Sequence, residues 1–247
     1  MKLKVLGSNS AGNCYILEGE SESLIIEAGV KFTDIKKGLN FNLLNVAGCI
    51  VTHEHGDHAK YAMEIAGAGI KVYATKGTIE HAKLEGNHNA VPVKLLSRQQ
   101  VGGFNLLPFP VEHDAAEPCG YLISHPECGK ILFITDTSEI EYDFKGLNNI
   151  IIEANYGSAI TDQRIMEGNL DPRHQERVNK SHLSIEKCLK FLKRTDLSQC
   201  NHIVLIHLSD GSSNAADFKN AVVQATGKTT TIADKGVTIE NFNIKPF

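Results

Sequence analysis

Apolar residues along this chain gather in bursts of four to seven, rich in Val, Ile, Leu and Phe and bounded by Gly, Asn, Asp or Pro. The segments "KLKVL", "CYILE", "LIIEAG", "GCIVT", "IKVYAT", "NLLPFPV", "GYLIS", "ILFITD", "IIIEA" and "HIVLIHL" are of this kind. Bursts this short predict β-strands. Helical spacing falls between them: after His58 through about Ala66, from Lys76 to about Leu84, and from Asn214 to about Ala225. The clearest is "SIEKCLKFLKR", where Ile185, Cys188, Leu189 and Leu192 share one face behind a Ser184 N-cap. Strands run consecutively over residues 2–27 and again over 104–135, with helices between the groups, so antiparallel meanders mix with βα units. The expected fold class is α/β, with two mixed β-sheets packed face to face and helices outside. With no fixed-period repeat, low-complexity tract or Pro/Gly/Ser linker, residues 1–247 read as one domain.

One stretch breaks the apolar pattern. Residues 155–180, "NYGSAITDQRIMEGNLDPRHQERVNK", are polar and predict two short helices separated by "GNLDP". A polar segment of this kind reads first as a solvated connection. Its place just before "SHLS" offers a second reading, a rim or lid over a site.

Composition narrows the partners. The formal net charge of −4, with charged residues at 22%, lacks the basic footprint of proteins that coat nucleic acid without regard to sequence. The opening "MKLKVLGSNSAGNCY" has no signal-peptide core, and no apolar run approaches the roughly 20 residues of a membrane span. Six cysteines lie scattered with no CxxC spacing, which predicts reduced core thiols. The expectation is a soluble, cytoplasmic protein with no membrane partner and an open oligomeric state.

The chemistry concentrates in "IVTHEHGDHAKY". His53 and His55 are two apart after a strand, so both imidazoles can face one side, and Gly56 permits a turn that brings Asp57 and His58 to the same centre. Alone, any of these histidines would be read as an ordinary side chain. Four ligand-type side chains at this spacing would repel or desolvate one another without a metal ion. Further donors stand at or beyond other strand ends: His113 in "VEHDAAEPCGY", Asp136 in "ILFITDTSEI" and His207 in "HIVLIHLSD". Seven donors suit two ions, with His53, His55 and His113 on one, Asp57, His58 and His207 on the other, and Asp136 bridging. Nitrogen and oxygen donors without thiolate fit Zn²⁺ or Mn²⁺. Two such ions would bridge an activated hydroxide for hydrolysis.

The ordered set H-x-H-x-D-H, His113, Asp136 and His207 resembles the metallo-β-lactamase fold superfamily over nearly the whole chain. The resemblance implies an αββα sandwich with its two-metal site at one sheet edge. Glu27 in "LIIEAG" stands where that family typically has Asp, behind the ligands. The opening "GSNSAGN" is similar to the YycJ/WalJ-like branch, which is linked to nuclease activity; Ser8, Ser10 and Asn13 would then face the site and contact a phosphate. "SHLS" resembles an element of the phosphodiesterase branches whose histidine binds the scissile phosphate and protonates the leaving oxygen. That role would fall to His182, beside Asp57 as the other catalytic candidate. Only 45 residues separate Asp136 from His182, too few for the inserted domain of β-CASP nucleases.

The leading expectation is a dinuclear phosphodiester hydrolase, an exonuclease on DNA or RNA. Arg164, Arg173, Arg177 and Lys180 would supply a local basic rim. The alternatives are a phosphodiesterase on a small cyclic or linear diester, a thioester or lactam hydrolase, and a non-catalytic metal-stabilised module. His81, His88, His125, His174 and His202 lack a convergent context and read as surface or structural.

Overall fold

The computed structural model describes residues 1–245. An antiparallel meander, β1 (Lys2–Asn9), β2 (Gly12–Glu18) and β3 (Ser23–Ile26), crosses through α1 (Phe32–Gly38) to β4 (Val46–Ile50). Next come α2 (Gly56–Ala59), α3 (Ala62–Gly67), β5 (Val72–Thr75), α4 (Lys76–His81) and β6 (Ala90–Val93). A second meander runs through β7 (Gln99–Val101), β8 (Phe104–Pro110), β9 (Cys119–His125) and β10 (Gly129–Ile134) before β11 (Asn149–Glu153). The chain continues with α5 (Ser158–Met166), α6 (Pro172–Ser181), α7 (Ile185–Arg194), β12 (His202–Ile206), α8 (Ala215–Thr226), β13 (Thr229–Ile232) and β14 (Thr238–Ile239).

These strands form two seven-stranded sheets, ordered β14-β1-β2-β3-β4-β5-β6 and β13-β12-β11-β10-β9-β8-β7. Each is antiparallel through its meander and parallel beyond it, where helices supply the crossovers except between β10 and β11, which an irregular loop joins. This is the mixed αββα sandwich expected. Alternation along the strands sorts side chains into three apolar layers. Tyr15 and Leu17 of β2 point between the sheets, where they meet Phe104, Tyr121 and Phe133 from the other sheet. Cys14 and Ile16 point outward against Phe32, Ile35 and Ile65. On the far side, Ile150, Ile152 and Ile203 pack against Phe191, Leu192 and Phe218. Strands covered on both faces carry no polar alternation, which is why "NIIIE" is buried throughout. All six cysteines are free and buried in these layers.

Local signals behave as their chemistry dictates. Ser184 caps α7 by accepting from Lys187 N, Asn214 caps α8 by accepting from Asp217 N, and Asp171 with Pro172 opens α6. The helix expected from His58 to Ala66 is instead two, broken at Lys60–Tyr61, and α4 ends at His81, short of Leu84. No helix among the described residues is long and apolar enough to cross a membrane.

The register positions the site. Ile134 pairs with Ile152 and Glu153 with Ile206, so β10, β11 and β12 end in line. In the other sheet Ile26 pairs with Ile50, which brings the ends of β3 and β4 to the same edge. Open α/β sheets bind ligands at the carboxyl ends of their strands, and here two sheets present such ends together.

Candidate metal centre

His53 and His55 leave the end of β4, and α2 begins at Gly56, so the first helical turn swings Asp57 and His58 back toward them. Gly56 does this within ordinary helical backbone, and the tight turn expected there is not needed. A glycine is required opposite, at Gly29, where a Cβ would fall 1.7 Å from the Asp57 carbonyl oxygen. Two residues at strand ends occupy the left-handed region, Glu27 at φ 68° and His207 at φ 54°. Non-glycine residues persist there only where surrounding contacts hold them. Glu27 N donates to Ile50 O; His207 N donates to Ser8 Oγ at 3.1 Å, and its carbonyl accepts from Asn155 Nδ2 at 2.9 Å.

The partners of each ring decide which nitrogen is free. Thr52 Oγ1 gives its proton to Glu27 Oε1 at 2.6 Å, so His53 Nδ1, 2.9 Å away, must donate to that hydroxyl. His113 Nδ1 donates to Ser181 O at 2.8 Å, and His207 Nδ1 lies 3.0 Å from Glu153 Oε1. His58 Nδ1 faces Glu27 Oε1 at 3.5 Å. In His53, His113 and His207, holding one nitrogen this way fixes the tautomer and turns the other inward, whereas His58 Nδ1 makes no hydrogen bond. The donor atoms form three groups, each with its members within 4.8 Å of one another: His53, His55 and His113; Asp57, His58, Asp136 and His207; and, overlapping the second, Asp136, Glu153, His182 and His207. Asp136 Oδ2 lies 3.8 Å from His53 Nε2, 3.4 Å from His58 Nε2 and 3.7 Å from His113 Nε2, on the boundary between the groups.

These residues fit divalent ions on their own chemistry. His53 Nε2 is buried with no hydrogen-bond partner, an arrangement that costs about 1–3 kcal/mol unless something accepts the lone pair, and His207 Nε2 faces only the Asp57 carboxylate, at 3.3 Å. His55 Nδ1 and His113 Nε2 face each other at 3.1 Å and share at most one proton. The donors are imidazole and carboxylate, the set that suits Zn²⁺ and Mn²⁺ alike.

Two buried carboxylates stand behind the ligands. Glu27 was anticipated; Glu153, the last residue of β11, was not. Its Oε1 lies 2.7 Å from His182 Nδ1 and 3.0 Å from His207 Nδ1, and Oε2 accepts from Leu183 N at 2.9 Å. One carboxylate thus orients both the candidate acid His182 and the candidate ligand His207. Asn155, two residues on, holds His207 through its carbonyl and was also missed.

Protons compensate the cluster in the metal-free protein. Burial disfavours charge on His58 and His207, but Asp136 overcomes it, with Glu27 aiding at His58 and Asp57 and Glu153 at His207. His58 is raised well above the ordinary imidazole value and His207 to about 10. Burial likewise opposes ionisation of Asp136, yet the charges on His207 and His58 hold it well below the usual carboxylate range. His53 is pushed down by burial and by the neighbouring His58. The consequence for stability has a definite sign. His207 has its folded pKa raised from 6.5 to about 10, so its contribution to the metal-free fold is complete below 6.5 and lost as pH rises through about 10. Losing that proton frees the nitrogen an ion would take, so the stabilisation added by Zn²⁺ or Mn²⁺ increases across the same window. Thermal unfolding between pH 6.5 and about 10 should show the gap between metal-loaded and chelated protein widening with pH. A constant or narrowing gap would refute the assignment.

The site opens into a cleft of about 250 Å³ lined by Ser10, His55, Asp57, His113, His182 and His207. All eight expected ligand and catalytic positions fall at this edge: Asp136 is buried but reaches the cleft wall, and His53 and His58 lie buried behind it. The three hairpin residues divide. Ser10 is exposed on the cleft, whereas Ser8 bonds Tyr15 and His207 N, and Asn13 Nδ2 donates to Asp57 Oδ2 at 3.2 Å and touches His58 Nε2. The latter two brace ligands. The polar segment forms the rim: α6 carries His174, Arg177 and Val178 along the cleft and ends at Ser181, the partner of His113. His174 is therefore at the site, not remote from it as expected. The basic rim is largely neutralised, since Arg173 pairs with Asp171, Arg177 with Asp114 and Lys180 with Glu176, and Arg164 turns to Ser212 and Asn169. His125 contacts Glu22 and His202 contacts Thr231, both structural roles.

Comparison with known proteins identifies the family and the fold. The profile of the beta-lactamase superfamily domain matches residues 37–208. Exodeoxyribonuclease YycJ of Bacillus anthracis is 30% identical over 223 residues, covering 85% of this chain and 83% of the relative. Exodeoxyribonuclease WalJ of Streptococcus pneumoniae serotype 2 (strain D39) is 27% identical over 224 residues, covering 84% and 81%. The metallo-beta-lactamase fold protein YhfI from Bacillus subtilis superposes with a TM-score of 0.74 at 14% identity, covering 97% of this chain and 99% of that one.

Proposed function

The chain belongs to the metallo-β-lactamase superfamily, in the branch of the YycJ and WalJ proteins, and from that premise we propose that it is a dinuclear metal-dependent phosphodiester hydrolase, an exonuclease acting on DNA or RNA. One observation carries the reading: the His182 ring is held by a buried carboxylate in the wall of a cleft at which seven ligand-type side chains converge. In it, His53, His55 and His113 would hold one ion and Asp57, His58 and His207 the other, with Asp136 serving both. Bound there, Zn²⁺ or Mn²⁺ would supply a nucleophile active at neutral pH and offset charge on the phosphoryl oxygens.

The chain's own residues do the rest. Glu153 accepts from His182 Nδ1, which leaves Nε2 on the opposite ring edge as the proton-bearing atom for a leaving oxygen. Burial lowers the pKa of His182, but the Glu153 charge outweighs it and the ring is raised above its ordinary value, which favours the protonated form an acid needs. Acids of this kind contribute about 10²–10⁴-fold. Attack on an acyl carbon has less need of a separate acid, which favours phosphodiesters over thioesters and lactams. We further read the chain as a single cytoplasmic hydrolase domain, because the layer between the sheets draws on both.

The test compares turnover of end-labelled DNA and RNA, bis(p-nitrophenyl) phosphate, a thioester and a β-lactam by protein reconstituted with Mn²⁺ or Zn²⁺. Progressive shortening from one polymer end is the expected result. Hydrolysis of bis(p-nitrophenyl) phosphate without attack on any polymer would transfer the assignment to a small cyclic or linear diester, and retained metal without any hydrolysis would make the chain a metal-stabilised module.

A further inference from the structure

A second depression, of about 750 Å³, opens on the other side of the β1–β2 hairpin tip from the metal cleft. The two share a wall. Ser10 borders the cleft, while Asn9 and Ala11 border the groove; beyond β12, Ser209 borders the cleft and Leu208 and Asp210 the groove. A chain lying in the cleft would enter the groove by crossing one hairpin tip.

The groove's side chains differ from those of the cleft rim. Lys31, Lys60 and Lys235 line it, all exposed, and among the described residues none has a carboxylate within ion-pairing distance. By contrast Arg173, Arg177 and Lys180 of α6 each have one. Tyr61 presents a half-buried ring beside Lys60. Three carboxylates also line the groove: Asp34, held by Lys37, and the exposed Asp210 and Asp234. A site for a bare polyanion would not keep them. A nucleotide uses all three kinds of group, since its phosphates take ammonium partners, its exocyclic amines and sugar hydroxyls donate to carboxylates, and its base offers a face to an aromatic ring.

We propose that this groove binds the nucleotides flanking the scissile linkage of single-stranded nucleic acid, with the strand crossing the hairpin at Ser10. The inference rests on the phosphodiester hydrolase reading above. It explains how a chain of net charge −4, with a neutralised cleft rim, grips a polyanion: the free positive charges are local and set one hairpin away from the reacting centre.

The test is fluorescence anisotropy of a labelled twelve-nucleotide single strand (about three phosphates in the groove) with chelated protein across a salt series. Wild-type protein should bind with a salt-dependent Kd. The Lys31→Ala/Lys60→Ala/Lys235→Ala variant should bind roughly ten-fold more weakly at low salt, with a log–log salt slope smaller by about 2, at ~0.7 per phosphate contact. A Lys83→Ala/Lys94→Ala/Lys193→Ala variant, with the same net charge but exposed lysines away from the groove, should keep the wild-type slope. Equal losses in both variants, or no loss in the first, would overturn the proposal, as would a wild-type protein that hydrolyses bis(p-nitrophenyl) phosphate yet binds no strand. Failure to hydrolyse that diester would count against the hydrolase reading, separately from the groove.

Discussion

Asp136→Ala is expected to abolish measurable diester hydrolysis and to leave the protein short of metal. The Asp136 carboxylate is the common neighbour of the cluster: Oδ2 faces His53, His58 and His113 within 3.8 Å, and Oδ1 lies 3.1 Å from His207 Nδ1. The side chain is 3% exposed, so its loss also strands the charges on His58 and His207 in a buried setting. Removing one partner of a buried charge pair costs about 3–5 kcal/mol. Metal analysis of the purified variant and its thermal unfolding with and without added Zn²⁺ would read both effects. A variant with full metal content and wild-type turnover would remove Asp136 from the site.

His182→Ala should behave differently, lowering diester turnover by about 10²–10⁴-fold while metal content stays at the wild-type level. The ring lines the cleft, and the donor atom it shares with the Asp136, Glu153 and His207 group is Nδ1, which Glu153 already engages at 2.7 Å. The loss should be largest for substrates with poor leaving groups, because a good one needs no proton. Bis(p-nitrophenyl) phosphate should therefore suffer less than an oligonucleotide. Unchanged oligonucleotide cleavage, or loss of metal, would contradict the role.

How much of this could be read from the chain differs between centre and edge. The ten strands expected from apolar bursts are all present. The four that were not expected, β6 "AVPV", β7 "QQV", β13 "TTTI" and β14 "TI", are the four edges of the two sheets. An edge strand is paired on one side only and tolerates proline and polar residues, as Pro92 in β6 shows, so it carries no apolar run to detect. Helix α1 escaped for a related reason: only Phe32 and Ile35 of "FTDIKKG" are buried, too few for a helical period.

The candidate ligands were legible because four of the seven are local in "HEHGDH" and the remaining three each follow an apolar burst. Glu153 was passed over as part of the strand "IIIEA". Its signal was a charge closing a wholly apolar run, in a strand between those that end at Asp136 and His207. The side chains of Ser8 and Asn13 could not be assigned from sequence, because whether a hairpin residue faces substrate or braces a ligand depends on how the hairpin packs on Asp57 and β12. Charge on α6 misled for the same reason: counting Arg and Lys does not reveal the Asp and Glu that fold beside them.

The most direct test of the central claim is the number of ions each chain holds, read by native mass spectrometry of protein reconstituted with Zn²⁺ and, separately, with Mn²⁺. The account predicts two ions per chain with at least one of these metals, and fewer than two in Asp136→Ala. A wild-type chain that takes up one ion or none with both metals would contradict it.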